Sequence, residues 1–175
     1  MKKNTLVFGL ISGLIASSML IANAIKCYQD KDFEGNMILG FTIMIIAFAF
    51  IFVGIKNYRD QFNNGLISFW KAFKVGLFIA FIASSIYVVV CLIAYYAFIP
   101  DFMEKYTAHE IAAAKNLPAV ELQKKVADMN FYTEMYKNPI YVVLLTYMEI
   151  LPVGLIITLL SALILKKKEK QVEVA

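Results

Sequence analysis

The sequence has few of the residues that carry most catalytic and metal chemistry. Its single histidine is His109, its two cysteines are Cys27 and Cys91, and it contains no CxxC, CxxH or HExxH pattern. A GxSxG nucleophile motif and a glycine-rich phosphate loop are also missing from the sequence. Metal sites and most catalytic centres are built from such clusters. We therefore expect neither an enzyme nor a metal or cofactor site.

Charge is missing from four long apolar stretches, which together contain no Lys, Arg or His and one carboxylate, Glu149. These stretches are 6–25, 37–55, 75–99 and 140–165. With 19 to 26 residues each, they are long enough as helices to cross a hydrocarbon core of about 30 Å. In a chain that is 61% hydrophobic, this pattern predicts an all-α integral membrane protein, a four-helix bundle forming one domain over 1–175.

Basic residues are concentrated on one side of the predicted topology. Segments 1–5, 56–74 and 166–175 hold ten Lys and Arg in 34 positions, whereas 26–36 and 100–139 hold seven in 51. The positive-inside rule therefore places both termini and the 56–74 loop in the cytoplasm of a bacterial inner membrane. Contact with anionic lipid headgroups explains the net charge of +4 without a nucleic-acid partner.

The N-terminus has a second interpretation as a secretory signal peptide. Met1-Lys2-Lys3 precedes an apolar run that ends near the small-x-small triplet Ala22-Asn23-Ala24, the pattern of a cleavage site. The run exceeds the usual apolar core of about 7 to 15 residues, and three more spans follow it. We therefore expect an uncleaved first helix. Cleavage after Ala24 would leave the other spans in the same orientation.

The 40 residues of segment 100–139 are too many for a plain turn. Residues 102–116 favour a helix and contain no breaker, and Pro118 is tolerated in the first turn of a second helix. Along that second helix Leu122, Val126, Met129 and Tyr136 recur on one face. We predict an extracytoplasmic insertion of two amphipathic helices between the third and fourth spans.

Small residues recur at intervals of four in three of the spans. The first has Gly9, Gly13 and Ser17; the third and fourth have similar stripes that begin at Gly76 and Gly154. Such stripes allow helices to approach closely in lipid. We expect them to pack the spans of one protomer, with a homodimer seam as the alternative.

The 56–74 loop is suited to a membrane surface. A chain reversal is predicted at residues 63–65, because Asn and Gly accept positive φ, and aromatic residues then alternate with lysines up to residue 74. We expect this loop to anchor the protein at anionic headgroups. The alternative is a docking surface for a cytoplasmic protein or a specific anionic lipid. The candidate contact residues are Tyr58, Arg59, Asp60, Trp70 and Lys71.

Within the spans, Glu149 gives the clearest indication of a site. An ionised carboxyl group in the membrane costs on the order of a few kcal/mol and marks a functional candidate. Pro152, three residues later, has no N–H and releases the carbonyl group of Met148 one turn earlier. On the other spans, Asn23 and Tyr87 lie at the same predicted depth. These residues predict a polar site in the outer half of the membrane.

Two roles are open for this site. A protonated Glu149 could fix helix register through a hydrogen bond to Asn23, Tyr87 or Tyr147. Alternatively, Glu149 and the Met148 carbonyl group could bind a proton or cation, or the amine of a small solute or lipid.

Several strings in the chain resemble a known family. Gly54-Ile-Lys56-Asn-Tyr58-Arg59-Asp60, with segments 65–69 and 71–76, is similar to the signature of membrane proteins grouped as domain of unknown function 4199. The segment from Glu149 through Pro152 to Ser161-Ala162 resembles that family's last helix. The resemblance covers nearly the whole chain and implies a four-helix inner-membrane protein of a Bacteroidetes-type bacterium. It assigns no chemistry, but Glu149, Pro152, Tyr58, Arg59 and Asp60 fall in the matching stretches.

Two functions follow from these observations. The first is a non-enzymatic structural membrane component that contacts lipid or an unidentified protein partner, with homo-oligomerisation left open. The second is a small transporter or an ion- or proton-coupled binding protein centred on Glu149. A cavity that reaches Glu149 would favour the second function, and a closed bundle would favour the first.

Overall fold

The structure is a computed structural model that describes residues 1–30 and 37–167. Most of the predicted outer segment 26–36 and the lysine-rich end from residue 168 lie outside the described residues. Within the described part, the chain is helical. The elements are α1 (Lys2–Asp30), α2 (Met37–Phe62), α3 (Phe69–Ile93) with a π-helical turn (Ala94–Phe98), α4 (Phe102–Ala113) with a 3-10 turn (Ala114–Asn116), α5 (Ala119–Tyr136) and α6 (Pro139–Leu165).

Four of these helices are long and apolar enough to span a membrane: α1, α2, α3 with its π turn, and α6. In the most apolar 18-residue stretch of each helix, only 33% of the residues are buried inside the protein. The outward faces carry large apolar side chains such as Phe41, Ile46, Phe78 and Ile164. A surface of this kind is stable in contact with acyl chains. The prediction of an all-α, multi-pass membrane protein is confirmed.

The second span extends further than the sequence predicted. Residues 56–60, assigned above to a loop, lie on the last turns of α2, because no Gly or Pro occurs between residues 55 and 64. The chain then reverses at Asn64 and Gly65, whose φ angles are 51° and 73°. Ser68 begins the next helix by accepting a hydrogen bond from the Lys71 amide at 3.4 Å.

Helix α3 packs most extensively against α1 and α6, and the small-residue stripes lie at these contacts. A Cβ atom on Gly9 would lie 2.7 Å from Ile82 Cβ, and one on Gly76 would lie 2.7 Å from Thr158 Cγ2. The stripes therefore allow spans of the same chain to approach closely. Phe48, Ile51 and other buried apolar residues fill the space between α2, α3 and α6.

The segment between the third and fourth spans contains the two predicted helices. Helices α4 and α5 pack together through a 2.9 Å hydrogen bond between the Thr107 and Thr133 hydroxyl groups and a 2.6 Å ion pair between Lys125 Nζ and Glu110 Oε2. Met129, on the predicted apolar face of α5, is buried. Because α5 also contacts α6, this helical pair is held against the spans.

Candidate ligand-binding cavity

A cavity of about 260 Å³ lies among α1, α2, α3 and α6 and reaches α5. Three of the four residues that the sequence marked as a polar site line it: Asn23 from α1, Tyr87 from α3 and Glu149 from α6. Leu39 and Gly40 of α2 line it at the same depth. Residues at equal distances along helices of fixed rise are thus brought together in space.

The Glu149 side chain is exposed to this cavity rather than packed in the core. Among the described residues, no hydrogen bond or ion pair holds its carboxyl group. Tyr147, one of the partners predicted for a register-fixing hydrogen bond, instead contacts the Ser85 hydroxyl group at 2.8 Å. The arrangement leaves the carboxyl oxygens available to a ligand.

Pro152 is the predicted site residue that the structure does not bring to the cavity. It lies inside α6, is exposed, and the helix continues through it to Leu165. The sequence placed Pro152 in the site because it frees the Met148 carbonyl group, and its own ring is exposed and does not line the cavity. Pro152 therefore belongs to the outer surface of α6.

Aromatic residues that the sequence analysis did not assign to the site form much of the cavity wall: Tyr95, Phe102 and Tyr136. The Tyr95 and Tyr136 ring centroids are 5.5 Å apart, with planes inclined by 65°. The Tyr96 hydroxyl group donates a 3.0 Å hydrogen bond to the Tyr136 carbonyl oxygen, which ties the end of α3 to the end of α5. A spacing of four along Tyr87, Cys91 and Tyr95 is the sequence signal that could have identified this wall.

The π-helical turn brings the end of α3 to the cavity. The Ile99 amide donates a 2.9 Å hydrogen bond to the Ala94 carbonyl oxygen, five residues earlier, and Ala94, Tyr95 and Ile99 all line the cavity. A residue pattern with a period of four drifts around an ordinary α-helix, and the wider turn counteracts this drift. Such turns occur frequently at functional sites.

The part of the cavity lining that the structure describes contains an acidic side chain and no basic one. Glu149 is the ionisable carboxylate of the lining, and no Lys, Arg or His of the described residues contributes to it. Burial raises the pKa of Tyr136 to about 12, with smaller contributions from the neighbouring Cys91 and Glu149 groups. The Tyr136 ring therefore stays neutral at physiological pH. The described residues contain no group of three His, Cys, Asp or Glu that could hold a metal ion.

The five candidate contact residues at the opposite end of the spans have internal partners or face outward. Tyr58 is buried, with Lys71 Nζ 5.6 Å from its ring centroid. Arg59 pairs with Asp60, at 2.7 Å from Nε to Oδ1, and donates a 3.4 Å hydrogen bond from Nη1 to the Leu165 carbonyl oxygen. These contacts join the end of α2 to the end of α6.

A short backbone bridge strengthens the same connection. The Ile67 amide donates to the Lys167 carbonyl oxygen at 2.9 Å, and the Lys167 amide donates to the Ile67 carbonyl oxygen at 2.8 Å. The Lys71 ammonium group donates a 2.6 Å hydrogen bond to Asn63 Oδ1. Trp70 differs from these residues, because 69% of its surface is exposed. It contacts the rings of Phe69 and Phe73.

The fold and the cavity define a helical, multi-pass membrane protein with an acidic, aromatic-lined cavity. Comparison with known proteins places the chain in a family: residues 7–167 match the family described as Protein of unknown function (DUF4199), and the chain belongs to that family. No curated protein and no solved structure is significantly similar to it.

Proposed function

We propose that this protein is a non-enzymatic component of a bacterial inner membrane that binds a small cation at Glu149. The observation that carries the proposal is the cavity itself, because it reaches the one carboxylate of the spans and no basic side chain of the described residues shares it. Of the two functions expected from the sequence, the cavity favours the binding protein over a purely structural component.

The energetic argument concerns the charge on Glu149. An ionised carboxylate at membrane depth costs on the order of a few kcal/mol, and no contact with another described residue offsets this cost. A bound proton neutralises the group, and so does a bound cation. Exchange between the two would make ligand binding dependent on protons, as expected of an ion-coupled binding protein or transporter.

The orientation that we propose follows the positive charges. Lys56, Lys74 and Lys166 are exposed near the end of the spans at which α2 turns into α3, and the positive-inside rule assigns this end to the cytoplasm. The cavity lies toward the opposite end, where α5 contributes Tyr136. It would then open in the outer half of the membrane, with α4 and α5 forming the extracytoplasmic layer of a four-span bundle.

A second function is favoured by Trp70. An exposed indole ring beside exposed lysines is typical of contact with the headgroup region of an anionic membrane. Because Tyr58 is buried and Arg59 is bonded to Asp60 and Leu165, a cytoplasmic partner or lipid would contact mainly Trp70 and Lys71. This surface can act in addition to the cavity.

The test is cation-dependent stability of the protein in phosphatidylglycerol nanodiscs. The unfolding temperature would be measured for wild type, Glu149→Gln and the control Glu121→Gln, an exposed carboxylate on α5, in titrations with sodium, potassium, magnesium and tetramethylammonium chlorides. A ligand at 100 times its Kd stabilises by about 2.7 kcal/mol, a shift of several degrees. We expect at least one cation to stabilise wild type and Glu121→Gln but not Glu149→Gln.

The proposal fails if no cation stabilises wild type or if all three proteins respond alike. Gel filtration and the unfolding temperature without added cation establish that Glu149→Gln is folded. If Glu149→Gln is unfolded, Glu149→Asp serves instead, because it keeps the charge and shortens the side chain; it is expected to bind cations with altered affinity.

A further inference from the structure

The residues that line the cavity indicate which type of cation it binds. Four aromatic rings, those of Tyr87, Tyr95, Phe102 and Tyr136, line it together with the Glu149 carboxyl group. Aromatic rings attract cations through their negative faces, and cages of such rings are the usual recognition site for alkylated ammonium groups. A carboxylate among the rings adds a full negative charge.

The cavity is poorly suited to a bare inorganic ion. Hard cations such as calcium need six or more oxygen ligands at short distances, whereas the cavity of about 260 Å³ has a largely apolar lining in which Glu149 is the one carboxylate among the described residues. An ammonium group with its carbon substituents fills such a space and contacts both the rings and the carboxylate.

An apolar groove adjoins the cavity. This groove, of about 590 Å³, shares Ala24, Ala94 and Ile99 with the cavity lining. Its remaining wall is formed by apolar side chains, including Ile25, Ile93 and Phe98. A cavity that contains a carboxyl group and aromatic rings and adjoins an apolar groove matches a molecule with a cationic head and a hydrocarbon chain.

We infer that the site binds an amphiphile with an ammonium head, such as an ammonium-bearing membrane lipid, with its head against Glu149 and the aromatic rings and its chain in the adjoining groove. This inference rests on the proposed cation binding at Glu149 and adds the class of ligand. The three shared lining residues supply the continuity between the head site and the chain site.

The experiment uses the whole protein in phosphatidylglycerol nanodiscs with three probes. Phosphatidylethanolamine has the ammonium head and the chains, diacylglycerol has the chains alone, and ethanolamine chloride has the ammonium group alone. We expect phosphatidylethanolamine to raise the unfolding temperature saturably at low mole fraction. Diacylglycerol should have no saturable effect, and ethanolamine should act only at high concentration.

Substitutions of Tyr95 and Tyr136 test whether the affinity depends on the aromatic faces or only on the shape of the site. Tyr95→Leu and Tyr136→Leu remove an aromatic face and should lower the apparent affinity for phosphatidylethanolamine about five- to thirtyfold. Tyr95→Phe and Tyr136→Phe keep the face and should bind within about threefold of wild type, because the cation–π attraction resides in the ring. The Phe variants also serve if a Leu variant does not fold, since equal affinity of wild type and Phe excludes recognition through the hydroxyl group.

Each of the other outcomes contradicts one step of the inference. If diacylglycerol acts like phosphatidylethanolamine, recognition of the ammonium head is wrong. If ethanolamine binds as tightly as the lipid, the ligand is a free amine and the role of the groove is wrong. If inorganic cations stabilise through Glu149 while the ammonium probes do not, the inference fails but cation binding stands. If no cation acts at all, both proposals fail.

Discussion

Single residues decide how closely the spans approach each other. Gly9 and Gly13 lie where α1 meets α3, and Gly76 and Gly154 lie where α3 meets α6. In a membrane, where apolar burial adds little to helix association, van der Waals contact along such stripes is a main attraction. The sequence pattern identified these residues, and the structure shows that their neighbours belong to the same chain.

Gly9→Ala is therefore expected to destabilise the protein. The new Cβ atom would lie 2.7 Å from Ile82 Cβ and 3.3 Å from the Ile79 carbonyl oxygen, so α1 must move away from α3. Overpacking of this kind costs about 1–3 kcal/mol. The measurement is the free energy of unfolding in a sodium dodecyl sulfate titration of mixed micelles.

Gly40→Ala is the matched control for this substitution. No atom lies within 4 Å of a Cβ at that position, and alanine favours a helix over glycine by about 0.5–1 kcal/mol. We expect Gly40→Ala to be at least as stable as wild type. Equal stability of the two variants would show that the α1–α3 contact does not depend on close approach at Gly9.

At the scale of elements, the end of α6 depends on the end of α2. Arg59 donates to the Leu165 carbonyl oxygen, and Ile67 forms a two-way backbone bridge with Lys167. In the sequence, Arg59 is a candidate contact for a cytoplasmic protein or an anionic lipid, as the alternative to a loop that only anchors the protein. Besides the neighbouring Asp60, Arg59 contacts the Leu165 carbonyl oxygen. Leu165 lies 106 positions away in sequence, so no local pattern could identify this second contact.

Arg59→Met is expected to loosen the last turn of α6. A hydrogen bond from a charged donor contributes about 1 kcal/mol or somewhat more when partly exposed, so exchange of amides 163–167 should accelerate about five- to tenfold. Hydrogen-exchange mass spectrometry of the protein in nanodiscs measures this effect. Lys74→Met, which removes an exposed positive charge on α3, is the control and should leave these amides unchanged.

Equal acceleration in both variants would attribute the effect to loss of positive charge near the membrane rather than to the bond with Leu165. Unchanged exchange in Arg59→Met would show that the backbone bridge between Ile67 and Lys167 is sufficient to hold the end of α6.

For the whole molecule, the proposed topology is open to a direct test. In a protein with Cys27→Ser and Cys91→Ser, single cysteines would be introduced as Lys2→Cys, Lys166→Cys and Glu121→Cys. We expect a membrane-impermeant maleimide to label Glu121→Cys in intact spheroplasts and to label the other two only after permeabilisation, because lysine-rich segments remain in the cytoplasm. Labelling of Lys2→Cys and Glu121→Cys from the same side would contradict the four-span orientation.

The candidate site shows how far depth along a helix can predict proximity. Asn23, Tyr87 and Glu149 were matched because an α-helix rises by a fixed amount per residue, and all three line the cavity. Pro152 was placed in the site for the carbonyl group that it frees and not for its depth, and its own ring does not line the cavity. Tyr95 and Tyr136 reach the cavity through a π-helical turn and through the end of α5.

The sequence by itself determined that the chain is helical and crosses a membrane. This conclusion needs only the length of each apolar run and the cost of placing charge or an unpaired backbone group in hydrocarbon, and both are local properties. The tertiary structure alone decided that Arg59 meets Leu165, that Tyr95 meets Tyr136 and that an apolar groove adjoins the acidic cavity. These features depend on how the helices are rotated and packed, which the contacts among all of them fix together.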